Sequence, residues 1–303
     1  MKFEVTILGC GSATPTLRHG PTSQLVNHDE HFFLFDCGEG TQLQLRRFNA
    51  KFQRINHVFI THLHGDHCLG LPGLLSTMHL LGRTNDLHIY ANIALKEAIE
   101  VQLRVSYSKL RFPLIWHALS YDEPQIIMEN EKVVIKSFPL NHKVPCCGFL
   151  IAEKPKPRNI IPEMIAKYKI PYVRIRQIKA GADYVIQDGS VIPNADLTYD
   201  PAPSKSYAFC TDTAFTQKAI DAVRGVDLLY HESTFLEKDR QRAYDTFHST
   251  AVDAARVAKE AEVGKLVLGH YSARYHDLKP FLNQAQAIFK PTILGDEGLI
   301  INV

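Results

Sequence analysis

The sequence lacks the long apolar segments that mark membrane and exported proteins. None of its apolar runs approaches the roughly 18 residues that a transmembrane helix needs. Its first residues, Met1–Leu8, read directly as a β-strand and not as a signal peptide, in which an apolar stretch follows a basic start. We therefore expect a cytoplasmic protein with no membrane partner.

Cysteines are few and irregularly placed. They show neither a regular spacing nor a Cys-x-x-Cys pair, which indicates reduced thiols. The adjacent Cys146 and Cys147 could form a redox pair, but neighbouring strand residues point to opposite faces, so packing is the favoured interpretation. The six cysteines are Cys10, Cys37, Cys68, Cys146, Cys147 and Cys210.

The sequence also lacks a large excess of charge of one sign, since its net charge is only +2 at pH 7. This net charge does not by itself indicate a nucleic-acid partner. The distribution is uneven, however, with eight basic and two acidic residues between Glu153 and Lys179. A polyanion would be attracted to this segment, although a solvated loop explains the charge equally well. The eight basic residues are Lys154, Lys156, Arg158, Lys167, Lys169, Arg174, Arg176 and Lys179.

The remaining pattern is that of an α/β protein, in which short apolar strands alternate with helices. A helix beginning at Thr41, with that residue as its cap, and a longer helix over 69–81 are typical examples. The proline-rich stretch 154–203 breaks the pattern and predicts an inserted arm. Within the arm we expect one short helix near 163–168 and a hairpin over 184–192.

The highest density of reactive side chains lies in Thr61-His62-Leu63-His64-Gly65-Asp66-His67, directly after a buried strand at 57–60. Imidazole and carboxylate are ligands that suit zinc, and a tight turn at Gly65 would direct His62 and His64 to one ion and Asp66 and His67 to a second. The alternatives are a histidine-rich surface loop or unrelated core histidines, but His-x-His-x-Asp-His is a far more specific arrangement than either requires.

Three more metal-type residues follow strands elsewhere in the chain. His142 comes after the strand at 133–140, Asp212 after 206–210, and His270 after 265–268. Because strand ends can converge on one cleft, we expect these side chains to meet the histidine loop. Seven ligands for two zinc ions result: His62, His64, Asp66, His67, His142, Asp212 and His270.

These motifs resemble the metallo-β-lactamase superfamily, which implies an αββα sandwich with the metals at one edge. Within it, the chain resembles the ribonuclease Z family over essentially its whole length. The resemblance implies a single domain over 1–303 with an inserted arm at 153–197. The motifs that carry it are Phe35–Glu39, Thr61–Leu74, His231–Phe235, His248–Thr250 and His270–Tyr275.

The resemblance also implies an activity, namely zinc-dependent endonucleolytic removal of the 3′ trailer from precursor tRNA, leaving a 3′-hydroxyl on the tRNA. His62, His64 and His142 would hold one zinc ion, Asp66, His67 and His270 the other, and Asp212 would bridge the two. Asp66 would orient the nucleophile or accept a proton from it. His248 would be the general acid, and Glu232 would hold the His248 ring. Each of these two residues, taken singly, also has a purely structural interpretation. Glu232 would then cap a loop, and His248 would simply precede a helix.

The family resemblance further implies a homodimer and a tRNA-gripping arm, so the eight basic residues are candidate substrate contacts. Two stretches depart from the family pattern, because Ile170–Arg176 has no Gly-Pro pair and the loop Pro15–Gly20 is altered. Two other functions fit the same residues. One is a dizinc phosphodiesterase or other hydrolase of small molecules, and the other is a non-catalytic RNA-binding member of the fold.

Overall fold

The computed structural model describes residues 2–303. The strands are β1 Phe3–Gly9, β2 Gly11–Ser12, β3 Ser23–His28, β4 His31–Phe35, β5 Ile55–Phe59, β6 Leu87–Ala91, β7 Leu114–Ala118, β8 Gln125–Glu129, β9 Val133–Pro139, β10 Cys147–Glu153, β11 Asn159–Ile160, β12 Tyr184–Val185, β13 Val191–Ile192, β14 Thr198–Tyr199, β15 Ser206–Cys210, β16 Leu228–Glu232, β17 Lys265–Gly269, β18 Tyr271–Ser272, β19 Thr292–Leu294 and β20 Ile300–Asn302.

The helices are α1 Thr41–Arg47, α2 Gly65–Cys68, α3 Leu71–Leu80, α4 Ala94–Val105, α5 Pro162–Lys167, α6 Tyr172–Lys179, α7 Asn194–Leu197, α8 Gln217–Ala222, α9 Arg240–Asp245, α10 Ala251–Glu260 and α11 Lys279–Gln286, with 3-10 turns at Phe52–Arg54 and Glu237–Asp239. The chain divides into two compact units. The larger comprises residues 2–130, 134–151 and 205–303, and the smaller comprises 131–133 and 152–204.

Two seven-stranded sheets form the centre of the larger unit. Their strand orders are β20-β1-β3-β4-β5-β6-β7 and β19-β17-β16-β15-β10-β9-β8. Aromatic side chains from both sheets meet between them, as in the contact of Phe35 and Phe59 with Phe149 at ring-centroid distances of 5.5 and 5.6 Å. These rings remove a large apolar surface from water and hold the two sheets face to face.

Helices cover the outer faces of the sheets. Apolar residues of α1, α3 and α4 pack into the same cluster as β4, β5 and β6, while α10 contacts β16 and β17 and α11 contacts β19. The αββα sandwich that the sequence predicted is thus confirmed.

Parallel strands in both sheets bring their carboxyl ends to common edges. In the first sheet β4, β5, β6 and β7 run parallel to one another, and in the second sheet β15, β16, β17 and β19 do the same. Each carboxyl end leads into a loop that the sheet holds in place. The candidate site is built from these loops.

The smaller unit has an apolar core of its own. Ile170, Ile178 and Leu197 are buried in it, and its framework includes the β11–β14 pair and the β12–β13 hairpin. The short helix expected near 163–168 is α5, and the expected hairpin is present. Helices α6 and α7 were not expected. In α6, Val173 and Ile175 alternate with basic residues as they would in a strand, but Ile175 and Ile178 lie three residues apart and both pack into the core from one face of a helix.

Two local expectations were wrong. Gly65 does not form a tight turn but begins helix α2, so Asp66 and His67 project from a helical turn. Thr41 is not the cap of α1 but its first residue, and the cap is Gly40, whose φ of 82° favours glycine. Within residues 2–303, no helix is both long and apolar enough to cross a membrane.

Candidate active site

The potential ligands of the candidate site come from loops at the ends of four strands. His62 and the α2 residues follow β5, His142 follows β9, Asp212 follows β15, and His270 follows β17. Cys210 is paired with His231, and Glu232 with Gly269, so Asp212, Glu232 and His270 leave their parallel strands at nearly the same level. This register explains why residues that lie far apart in sequence share one site.

A first group of potential ligand atoms surrounds one point. His62 Nε2 lies 3.0 Å from His64 Nδ1, and His142 Nε2 lies 3.3 Å from the same atom. Asp212 Oδ2 completes the group at 3.5 Å from His62 Nε2 and 3.7 Å from His142 Nε2. These four residues are the set that the family resemblance assigns to one ion, including the bridging aspartate.

A second group adjoins the first through the other oxygen of the same aspartate. Asp212 Oδ1 lies 3.2 Å from His67 Nε2 and 3.0 Å from His270 Nε2. Asp66 Oδ2 is 3.5 and 3.6 Å from these two nitrogens and accepts a hydrogen bond from the Ala13 amide at 2.7 Å. All seven predicted ligands therefore lie together, with Asp212 between the two groups.

The arrangement fits metal ions better than hydrogen bonds. Metal–ligand bonds of about 2.0–2.1 Å in a tetrahedral zinc site separate the ligand atoms by roughly 3.3 Å, close to the spacings in both groups. The Nε2 atoms of His67 and His270 are buried and have no hydrogen-bond partner among the described residues. Buried nitrogens of this kind are costly unless something else is bound to them.

The electrostatics agree with a cationic occupant. Burial lowers the pKa of His62 well below its ordinary value, and the neighbouring His67 lowers it further, so this imidazole is neutral and can be a ligand. Burial also opposes a charge on His67, but Asp212 and Asp36 outweigh it and raise the pKa of this ring well above its ordinary value. The carboxylates therefore favour a positive charge here, which a metal ion or a proton supplies.

Beside the two groups lie His248 and Glu232, which the family resemblance also implied. His248 Nδ1 is 2.8 Å from Glu232 Oε1, and Glu232 is fully buried. Burial would lower the pKa of His248, but the charge of Glu232 and its hydrogen bond raise it to about 9. Burial would likewise raise the pKa of Glu232, yet His248 holds it at about 2. The pair thus carries a proton on the imidazole and a negative charge on the carboxylate.

The loop that carries His248 is fixed on both sides. Ser249 Oγ donates to the Thr213 carbonyl at 2.6 Å, and Thr250 caps α10 in a capping box with Asp253. The cap of this helix is therefore Thr250 and not the preceding Ser249. His142 Nδ1 lies 3.1 Å from the Phe247 carbonyl, which links the same loop to a potential ligand.

Sequence reasoning gave no role to the buried polar residues behind the ligands. Asp36, at the end of β4, lies 2.7 Å from His67 Nδ1 through its Oδ2 atom, and Thr234 Oγ1 lies 2.9 Å from His270 Nδ1. A carboxylate directly after a strand that neighbours the histidine-loop strand was the available signal for Asp36. For Thr234 the available signal was its place in His231–Phe235, one of the motifs that carry the family resemblance.

A third histidine-containing group lies outside this site. Cys10, His19 and Asp296 bring their ligand atoms within 4.8 Å of one another, although the sequence assigned none of them to a metal. His19 Nε2 is 3.0 Å from Asp296 Oδ1, and Cys10 Sγ donates to the Gly295 carbonyl at 3.8 Å. His19 and Asp296 thus bond each other, and the Cys10 thiol bonds a backbone carbonyl. All six cysteines are buried free thiols, as the sequence predicted.

The eight basic residues assigned to substrate lie in the smaller unit, where four are partly buried and four are exposed. Lys156 pairs with Glu153 at 2.5 Å, and Arg158 pairs with Asp200 and hydrogen-bonds Thr198 Oγ1 at 2.6 Å. Lys154 and Lys179 are half-buried. The remaining four are exposed at the end of α5, in the connection that follows it and along α6: Lys167, Lys169, Arg174 and Arg176.

Comparison with known proteins identifies the family. The model of the family described as anti-Pycsar protein Apyc1 matches residues 3–155, and that of the beta-lactamase superfamily domain matches 173–271. A protein named ribonuclease Z from Bacteroides thetaiotaomicron is 48% identical over 302 residues, which cover 100% of this chain and 96% of the relative.

Solved structures agree with the sequence comparison. The structure of human tRNase Z, short form, has a TM-score of 0.73 at 26% identity and covers 98% of each chain. A metallo-beta-lactamase fold protein of Bacillus subtilis has a TM-score of 0.69 at 20% identity, with 99% of each chain covered. The chain therefore belongs to the ribonuclease Z family, whose members are phosphodiester-hydrolysing nucleases with the metallo-β-lactamase fold.

Proposed function

We propose that this protein is a zinc-dependent endoribonuclease that removes the 3′ trailer from precursor tRNA and leaves a 3′-hydroxyl on the tRNA. One observation carries the proposal beyond family membership. The Glu232–His248 pair stands directly beside two complete groups of ligand atoms that share Asp212. Phosphodiester hydrolysis needs such a combination, because charge develops on the phosphate while the leaving oxygen needs a proton.

Two zinc ions are the proposed cofactor. His62, His64 and His142 would hold one ion and Asp66, His67 and His270 the other, with one oxygen of Asp212 directed to each. When bound, zinc lowers the pKa of a water molecule towards neutrality and neutralises negative charge on a phosphate. Nitrogen and oxygen donors with tetrahedral spacing support zinc over magnesium or calcium, which prefer all-oxygen sites.

The protein's own groups supply the proton transfers. Asp66 accepts a proton from, or orients, the attacking water, and the Ala13 amide holds its Oδ2 atom at 2.7 Å. His248 donates a proton to the 3′ oxygen of the tRNA as the phosphodiester bond breaks. Glu232 accepts the Nδ1–H of His248, so the ring presents its Nε2–H to the substrate.

The smaller unit is the proposed tRNA-binding arm. Its exposed lysines and arginines support this role, because contacts to phosphates provide most of the affinity of proteins for nucleic acids. The family resemblance also supports a homodimer, which light scattering on the purified protein would test. A tRNA substrate is consistent with the cytoplasmic location expected from the sequence.

The deciding experiment gives the zinc-loaded protein two substrates: a precursor tRNA with a labelled trailer and a small chromogenic phosphodiester. We expect one endonucleolytic cut in the precursor, and mapping of the product ends should show a 3′-hydroxyl on the tRNA. Cleavage of the small phosphodiester with the precursor left intact would support the small-molecule hydrolase instead.

The non-catalytic alternative has a separate test. We expect metal analysis of the folded protein to find about two zinc ions per chain. RNA binding together with fewer than two ions and no cleavage of either substrate would support a decayed site that only binds RNA. His31→Gln is a suitable control for substitutions of the ligand histidines. His31 is exposed, and its Nδ1 atom contacts the backbone carbonyl of Asp29.

A further inference from the structure

Two buried threonines occupy equivalent positions behind the candidate active site. Thr234 lies between Glu232 and His270, and Thr61 lies between Asp36 and His62. Both threonines are at most 2% exposed. Neither hydroxyl belongs to the ligand groups, so the proposed chemistry leaves both without a role.

The directions of the hydrogen bonds around Thr234 follow from the number of protons available. Its hydroxyl lies 2.6 Å from Glu232 Oε2, and since an ionised carboxylate can only accept, the single hydroxyl proton points there. The 2.9 Å contact with His270 Nδ1 must then be a bond that the imidazole donates. His270 therefore carries its proton on Nδ1, and the lone pair of its Nε2 faces Asp66 and Asp212.

Glu232 thus fixes the orientation of two histidine rings. Its Oε1 atom accepts directly from His248 Nδ1 at 2.8 Å, and its Oε2 atom reaches His270 through the Thr234 hydroxyl. Backbone amides of Thr213 and Thr234 hold the two carboxylate oxygens at 2.8 and 3.1 Å. The carboxylate has little freedom to move, so the hydroxyl between it and His270 is fixed as well.

The same arrangement recurs at the end of β4. Asp36 Oδ2 accepts directly from His67 Nδ1 at 2.7 Å and from the Thr61 hydroxyl at 2.9 Å. Thr61 Oγ1 in turn lies 3.1 Å from His62 Nδ1, which by the same proton count must donate to it. One buried carboxylate again fixes one histidine directly and a second through a threonine, here with one histidine in each ligand group.

We propose that Thr234 and Thr61 are positioning residues, whose hydroxyls extend the hold of one buried carboxylate to a second histidine. Thr234 links the proton donor His248 to the ligand His270, and Thr61 links His67 to His62 across the two ligand groups. The inference rests on the metal-binding part of the proposed function and not on the identity of the substrate. Partners of this kind typically change metal affinity about 10–100-fold when they are lost.

The test measures metal affinity by titrating the zinc-loaded protein with a competing chelator. Thr234→Val keeps the side-chain shape but removes the hydroxyl, and it should weaken the binding of one zinc ion about tenfold. Thr234→Ser retains the hydroxyl and should restore wild-type affinity. Thr292→Val is the matched control, because Thr292 is 2% exposed and bonds the Phe289 carbonyl, so its loss should lower thermal stability without changing metal affinity.

Glu232→Gln separates positioning from a general loss of stability. Glu232 belongs to neither ligand group, yet its substitution should weaken zinc binding when Thr234 is present and have little further effect in Thr234→Val. The proposal would be overturned if Glu232→Gln weakened zinc binding equally in the wild type and in Thr234→Val. It would also be overturned if Thr234→Val left the zinc affinity unchanged. If Thr234→Val does not fold, Thr61→Val applies the same test to the other threonine.

Cobalt(II) substitution provides a second readout, because its visible spectrum reports the geometry of the histidine ligands. We expect a changed spectrum for Thr234→Val and an unchanged one for Thr292→Val. Neither measurement uses a substrate. A protein that shows this coupling but leaves precursor tRNA intact would contradict the proposed function and still support the positioning role.

Discussion

The charge on the smaller unit leads to a quantitative prediction about RNA binding. Among the basic residues between Glu153 and Lys179, Lys167, Lys169, Arg174 and Arg176 are exposed, whereas Lys156 and Arg158 form ion pairs with Glu153 and Asp200. We predict that replacing the four exposed residues by glutamine weakens the binding of precursor tRNA and reduces its dependence on salt.

The magnitude follows from counterion release. Each phosphate contact contributes about 0.7–0.9 to the slope of log affinity against log salt concentration, so losing four contacts lowers the slope by about 3. Between 50 and 200 mM salt, the wild type should then lose roughly 60-fold more affinity than the variant. Filter binding or fluorescence anisotropy over this range measures both slopes, with a variant of the active site used to prevent cleavage.

A paired control comes from the same unit. Lys156→Gln together with Arg158→Gln removes two charges that are neutralised within the unit, so the salt slope should change little while thermal stability falls. Cleavage of the small chromogenic phosphodiester should be unaffected in the fourfold variant. An unchanged salt slope in that variant would refute the reasoning, because it would mean that the exposed charges do not contact phosphate.

Three further predictions concern other parts of the chain. His248→Gln should lower the rate of precursor tRNA cleavage by about 10²–10⁴-fold in single-turnover assays. The same variant should affect a nitrophenyl phosphodiester much less, because nitrophenolate leaves without a proton donor, and equal losses would argue against the acid role. Burial, followed by His88 and His117, lowers the pKa of His57 to about 4, so the unfolded chain takes up a proton near pH 6.5 before the folded protein does. Stability should therefore fall by about 2–3 kcal/mol between pH 7 and pH 4 on account of this residue, and urea unfolding should show a smaller pH dependence in His57→Gln. Thr250→Ala should lower the free energy of unfolding by about 1 kcal/mol through loss of the α10 cap. Urea unfolding should show that Thr250→Ser keeps most of this stabilisation.

Much of the site was predictable from local sequence pattern. A buried strand followed by His62, His64, Asp66 and His67 identifies a ligand cluster, because few other arrangements need so many imidazoles and carboxylates together. Strand ends likewise identified His142, Asp212 and His270, since strands in the same sheet deliver their carboxyl ends to one edge. The sequence by itself therefore determined the class of chemistry and the residues to which we assign it.

The tertiary structure decided how those residues divide their work. Asp212 directs one oxygen to each ligand group, and Glu232 reaches His270 only through Thr234. Such contacts depend on the register of neighbouring strands and on distances of a few tenths of an ångström, which no residue pattern encodes. In the same way, the ion pair of Lys156 with Glu153 is a feature of the folded smaller unit, which has a core of its own. Local pattern specifies which side chains are present, whereas long-range packing specifies which atoms they face.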